Sequence, residues 1–121
     1  RLLIMKNFLI LLLFVPLVSF GQVKNGEVKT YYKTGELQTI VNYVDGLRQR
    51  EFKTYYQSGK LESTVNYLDG LRQGERKYYF ESGVLRYTVS YVDDLRQGEL
   101  KEYYDSGVLR YTGNYVDGVK Q

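Results

Sequence analysis

From residue 27 onward, short stretches of alternating apolar and polar residues are separated by turn signals, and the pattern restarts every 24 residues. In the first copy, 27–33 (EVKTYYK) and 37–44 (LQTIVNYV) are rich in Tyr, Val, Ile and Thr, and neither shows a helical stripe of period 3.6. Both therefore predict strands. Between them lies Lys33-Thr34-Gly35-Glu36, with Thr or Ser before Gly in every copy; Gly supplies the positive φ that such a hairpin loop requires. Successive copies are joined by Asp45-Gly46, Asp69-Gly70 and Asp117-Gly118, a two-residue hairpin signal, whereas the third copy has Asp93-Asp94. Asp tolerates that conformation less well than Gly. Connections this short make every neighbouring pair antiparallel.

The units are 27–50, 51–74, 75–98 and 99–121, aligned without gaps. Eight positions are identical in all four copies, those of Glu27, Lys29, Tyr31, Gly35, Leu37, Tyr43, Asp45 and Gln49. The turns also set a register: Tyr32 opposite Leu37, Thr30 opposite Thr39, Val28 opposite Val41, Val44 opposite Leu47 and Tyr43 opposite Arg48. One face then carries Val28, Thr30, Tyr32, Leu37, Thr39, Val41, Tyr43, Arg48 and Phe52. The other carries Glu27, Lys29, Tyr31, Gln38, Ile40, Asn42 and Gln49, and is the more polar. Gly74 and Gly98 fall opposite Val65 and Val89, where a ring is expected to lie across the backbone. The fold class is all-β: an elongated, twisted, single antiparallel meander of four stacked β-hairpins. Eight strands at roughly 4.8 Å span about 38 Å. A closed barrel is the rival arrangement, but nothing in the repeats marks a corner or a closing bulge.

Residues 1–21 differ in character. Lys6 precedes an apolar run from Phe8 to Val18, and Ser19-Phe20-Gly21 places small residues three and one before a cut ahead of Gln22. This is the layout of a secretory signal peptide, with Met5 as the start and residues 1–4 upstream of it. An uncleaved anchor is the alternative, although the run is short of the roughly 20 residues a spanning helix needs. Residues 22–26 form a linker. Removing 1–21 takes away Arg1 and Lys6 and lowers the net charge from +3 to +1 over the remaining 100 residues. The electrostatic argument for nucleic acid or an anionic membrane goes with them.

The chain has no His, no Cys and no Trp, but 14 Tyr. That removes the Ser-His-Asp triad, thiol chemistry, disulfides and imidazole or thiolate zinc sites. Asp45, Asp69, Asp93 and Asp117 read as turn residues that bond their own backbone. A glycosidase needs two carboxylates in distinct environments across a cleft, and a repeat supplies one environment four times. No catalytic residue, metal site or cofactor is expected.

The pattern E-x-K-x-Y-Y-x-x-G-x-L-x-x-x-V-N-Y-x-D-G-x-x-Q-G, clearest at 51–74, resembles the MORN-repeat variant of bacterial proteins across 27–121. The resemblance implies an elongated antiparallel sheet of stacked hairpins. It extends to proteins often labelled antitoxins of toxin–antitoxin pairs, and related repeats are associated with protein scaffolding and phospholipid contact. Arg50, Asp94 and Gly113 depart from the pattern.

Two charged rows stand out. Lys29, Lys53, Lys77 and Lys101 suit a polyanion, or a solvated face balanced by Glu27, Glu51, Glu75 and Glu99. Arg48, Arg72, Arg96 and Lys120 lie beside Tyr43, Tyr67, Tyr91 and Tyr115, which suits either an interface or packing of cations on rings within the sheet. The candidate partner-binding residues are Tyr43, Arg48, Tyr67, Arg72, Tyr91 and Arg96. The function expected is that of an exported, non-enzymatic module (periplasmic, outer-envelope or extracellular) that binds a protein partner. A glycan- or envelope-binding module and a toxin-neutralising immunity protein are the alternatives. Nucleic acid is not an expected partner, and no span is expected in the mature chain.

Overall fold

The computed structural model describes residues 25–121. The signal-peptide and linker assignments over 1–24 lie outside the described residues. Nine strands follow in chain order: β1 (Gly26–Tyr31), β2 (Leu37–Val44), β3 (Leu47–Tyr55), β4 (Leu61–Leu68), β5 (Leu71–Tyr79), β6 (Leu85–Val92), β7 (Leu95–Tyr103), β8 (Leu109–Val116) and the short β9 (Val119–Lys120). They form one open antiparallel sheet whose spatial order is the sequence order. This is the expected meander, with a ninth strand of two residues added, and not a barrel.

The two kinds of turn explain the register. At Asp45-Gly46 both residues have positive φ, 50° and 77°, the geometry a two-residue hairpin needs to match the strand twist. Val44 accordingly pairs with Leu47 and Tyr43 with Arg48, as expected. At the other end, Gly35 (φ 100°) donates its N–H to the Tyr32 carbonyl, and Tyr32 donates its own to Glu36. The loop therefore holds three residues rather than four. Tyr31, not Tyr32, faces Leu37, and the extra residue is absorbed as a bulge before Thr39 pairs with Thr30. The bulge also redirects the side chains at the Gln38 position. Arg110 reaches Glu102, and Arg86 lies over Phe80, so these residues do not join the polar face assigned to Gln38.

A second bulge recurs at each of the three junctions between repeats. Ile40 faces Lys53 and Asn42 faces Gln49, so Val41 alone spans Arg50, Glu51 and Phe52. The same shift follows Thr64 and Thr88. Gly74 and Gly98 are therefore each one of three residues spanned by Val65 and Val89 and not their one-to-one partners, and on the following strand they pair with Tyr91 and Tyr115. Each has positive φ, 78° and 79°, and no neighbouring atom stands where a Cβ would go, so backbone conformation rather than a covering ring explains these glycines. The ring over glycine occurs elsewhere: the Tyr111 hydroxyl lies 2.7 Å from where a Gly113 Cβ would be.

The core is a stripe along the first face. Val65 and Val89 are each 1% exposed, and Val41 is 6% exposed. With only one layer, cover for them must come from side chains on the same face. Phe52 pairs with Val65 and Arg76 with Val89. Beside the stripe runs a second row, Thr30–Thr39, Thr54–Ser63 and Tyr78–Tyr87. The first two pairs share hydroxyl hydrogen bonds of 2.6 and 2.7 Å, and the third stacks its rings at 4.6 Å.

Candidate functional site

Successive strands bring the Tyr/Arg row onto the first face in register. Tyr67 pairs with Arg72 and Tyr91 with Arg96, as Tyr43 does with Arg48. The guanidinium groups, however, reach forward into the next repeat. Arg48 lies 5.4 Å from both the Phe52 and Tyr67 ring centres, and these two rings meet edge to face at 6.1 Å. Its Nη1 donates to the Tyr67 hydroxyl at 3.2 Å. Arg72 lies 4.2 Å from the Tyr91 ring, and Arg96 lies 5.3 Å from that of Tyr115. The Tyr43 and Tyr67 hydroxyls, Tyr43 foremost, favour the charged form of Arg48, and Tyr91 does the same for Arg96. Each cation thus lies over a ring while Arg48 and Arg96 stay exposed.

The six candidate residues are not equivalent. Tyr43 and Tyr67 are half-buried and present one side to solvent. Tyr91 is 3% exposed and offers a partner almost nothing. Its part is to support Arg72. Arg72 is in turn held by Asp94: its Nε lies 2.5 Å from the Asp94 carboxylate, and its backbone N–H donates to the same oxygen at 3.2 Å. The Arg72 guanidinium accordingly holds the Asp94 carboxyl below its ordinary range. A cleft of about 270 Å³ opens here, lined by Arg72, Tyr91, Asp94, Leu95, Arg96 and Gly118. The sequence showed Asp94 only as a departure from a turn glycine. Its φ of 70° confirms the turn geometry, and its ionic role was not visible.

Two further sets of contacts complete the site's frame. Gln49, Gln73 and Gln97 donate their side-chain amides to the carboxylates of Asp69, Asp93 and Asp117 in the next repeat. The Asp69 and Asp93 backbone N–H groups return a hydrogen bond to the Gln49 and Gln73 carbonyls, at 3.0 and 3.2 Å. These aspartates therefore fasten repeat to repeat instead of bonding their own backbone. Asn25 fills the glutamine's place for Asp45. On the opposite face, Lys29, Lys53, Lys77 and Lys101 each lie between 3.2 and 3.9 Å from a Glu two residues earlier. The solvated, balanced reading of that row is the one the geometry supports.

The MORN repeat variant matches residues 24–45, 51–69, 72–93 and 96–117, four times over and across most of the chain. The chain belongs to the MORN repeat variant family. No curated protein matches it. Each matched segment of this MORN repeat protein ends on the Asp that opens a turn, at the end of the hairpin that carries the Tyr/Arg row. The family and the sheet together indicate a repeat module of a generally binding kind. Among the described residues, no helix is long and apolar enough to cross a membrane.

Proposed function

We propose that this MORN repeat protein is an exported, non-catalytic module that binds a protein partner with the first face of its sheet. The observation that carries the reading is the asymmetry between the faces. On the second face every repeated Lys is already paired with a Glu. On the first, Arg48 and Arg96 are exposed, charged and fixed on aromatic rings. Planar guanidinium groups are weakly hydrated, and immobilised rings lose few rotamers on contact, so such pairs make efficient anchors. Export rests on residues 1–21, and the absence of catalysis on a composition without His or Cys.

Pull-down from the cells that make the protein tests the reading. Tyr67→Ala combined with Arg48→Ala should weaken capture of the co-purifying protein by roughly 2 kcal/mol or more. Lys53→Ala combined with Lys77→Ala should leave it unchanged at physiological salt. Loss of capture in the Lys pair alone would move the binding surface to the other face. N-terminal sequencing of secreted material should begin at Gln22; retention of Met5 would remove export.

A further inference from the structure

The cations divide by kind between the two faces. The repeated lysines stand opposite threonine or Ile40 on the second face, each beside its glutamate. Arg48, Arg72, Arg76 and Arg96 occupy the first face, where pairing places them opposite Tyr43, Tyr67, Val89 and Tyr91. Arg72 and Arg110 are neutralised there by Asp94 and Glu102. Among the described residues no carboxylate pairs with Arg48, Arg50, Arg76, Arg86 or Arg96, and of these Arg48 and Arg96 belong to the Tyr/Arg row and stay exposed. Arg1, Lys6 and Lys24 fall outside 25–121 and account for the whole of the +3 charge, so the sheet is neutral overall while its first face carries surplus arginine.

We propose that the first face takes an acidic, extended polypeptide segment laid across the strands, with carboxylates meeting Arg48 and Arg96. This rests on the reading of that face as the partner surface, and it adds the partner's chemistry. The spacing supports it. Arg48 and Arg96 begin strands four apart, roughly 19 Å at about 4.8 Å per strand. An extended chain advances about 3.1–3.3 Å per residue, so six residues cover that distance, and three cover one repeat. Arg72 stands midway and already holds Asp94. The segment should therefore carry acids at i and i+6 and gain nothing from a third at i+3. A guanidinium positioned over a ring presents its N–H groups in one plane, the geometry that carboxylate oxygens accept side by side. Nucleic acid fits less well. The sheet is neutral overall and so has no long-range attraction for a polyanion.

Calorimetric titration of the purified chain with synthetic peptides tests this. One peptide has Glu at i and i+6 in an Ala/Pro background, a second adds Glu at i+3, and a third replaces the Glu residues by Lys. The first should bind saturably, and Arg48→Gln or Arg96→Gln should each weaken it about tenfold, with far-ultraviolet circular dichroism unchanged. Lys53→Gln with Lys77→Gln should change nothing. The second peptide should match the first on the natural chain. On Asp94→Gly, which restores the turn glycine and frees Arg72, it should bind several-fold tighter than the first. No saturable binding, equal binding of the Lys peptide, or indifference to Arg48 and Arg96 would overturn the proposal. A single-stranded oligonucleotide that binds tighter than the Glu peptide and loses affinity with the same variants would replace the carboxylate by phosphate. If pull-down depends on Tyr67 and Arg48 while no Glu peptide binds, the face stands and the acidic segment falls. If the peptides behave as expected while pull-down ignores that face, the protein-partner reading falls instead.

Discussion

Arg50 and Gly74 occupy the same place in successive repeats, and both have left-handed backbone, φ 66° and 78°. For Arg this conformation costs on the order of 1 kcal/mol that Gly avoids. Arg50→Gly should therefore raise the chain's stability by about that amount, read as a higher denaturant midpoint at constant slope. Gly59 is the converse. It has φ 89° and open space around its missing Cβ, so Gly59→Val should cost about 1–2 kcal/mol through backbone strain alone, and Ser58→Ala next to it much less. A third residue-scale effect is Tyr87, stacked on Tyr78. Burial, with Tyr78 adding to it, pushes its phenol from 10.0 up to about 12. The folded state holds this proton more tightly than the unfolded chain. The stability it confers is therefore complete below pH 10 and lost as pH rises towards 12. Tyr87→Phe should lack this part of the alkaline decline in the denaturant midpoint.

Within the element, the hairpin, the lasting fact is that the repeated residues act between copies more than within them. Gln73 clamps Asp93, and the Tyr32 and Tyr56 hydroxyls donate to the Tyr55 and Tyr79 carbonyls of the following repeat at 2.7 and 2.5 Å. Gln73→Ala and Asp93→Ala should each destabilise by about 0.5–1.5 kcal/mol, and the double variant by less than their sum, because they share one interaction. Full additivity in a thermal-unfolding cycle would deny the clamp. The strands, the positions of both turns and the Tyr43–Arg48 register were legible in the sequence, because alternation and Asp-Gly or Ser-Gly signals are local; the length of the Gly35 loop, and with it the partner of Leu37, was not. The bulges were not. The run from Arg50 to Phe52 reads as ordinary strand, and only pairing with the neighbours shows that Val41 spans all three residues. Gln and Asp were visible as identical in all four copies. Their partnership was hidden because Gln49 and Asp69 are 20 residues apart and meet only once the sheet has formed. Of the candidate row, the residues were legible but not their inequality: whether Tyr91 is covered depends on where the Arg72 side chain lies, and Asp94 decides that.

At the scale of the whole molecule, each hairpin touches its neighbours and little else. Stability should then be a sum of repeat and interface contributions, and the binding face should lengthen or shorten by whole repeats. The 24-residue period makes this testable. Removing 51–74 joins Arg50 to Glu75, with Arg50 taking the left-handed place of Gly74, and keeps the alternation of faces across the junction. Removing only 12 residues would join strands out of phase and exchange turn for strand. The most direct measurement is therefore chemical denaturation of the 51–74 deletion, followed by circular dichroism beside the full chain. A strand spectrum retained, with one cooperative transition at lower denaturant, is the predicted result. Complete loss of structure in the 24-residue deletion would contradict the account and mean that the sheet depends on contacts reaching beyond adjacent repeats.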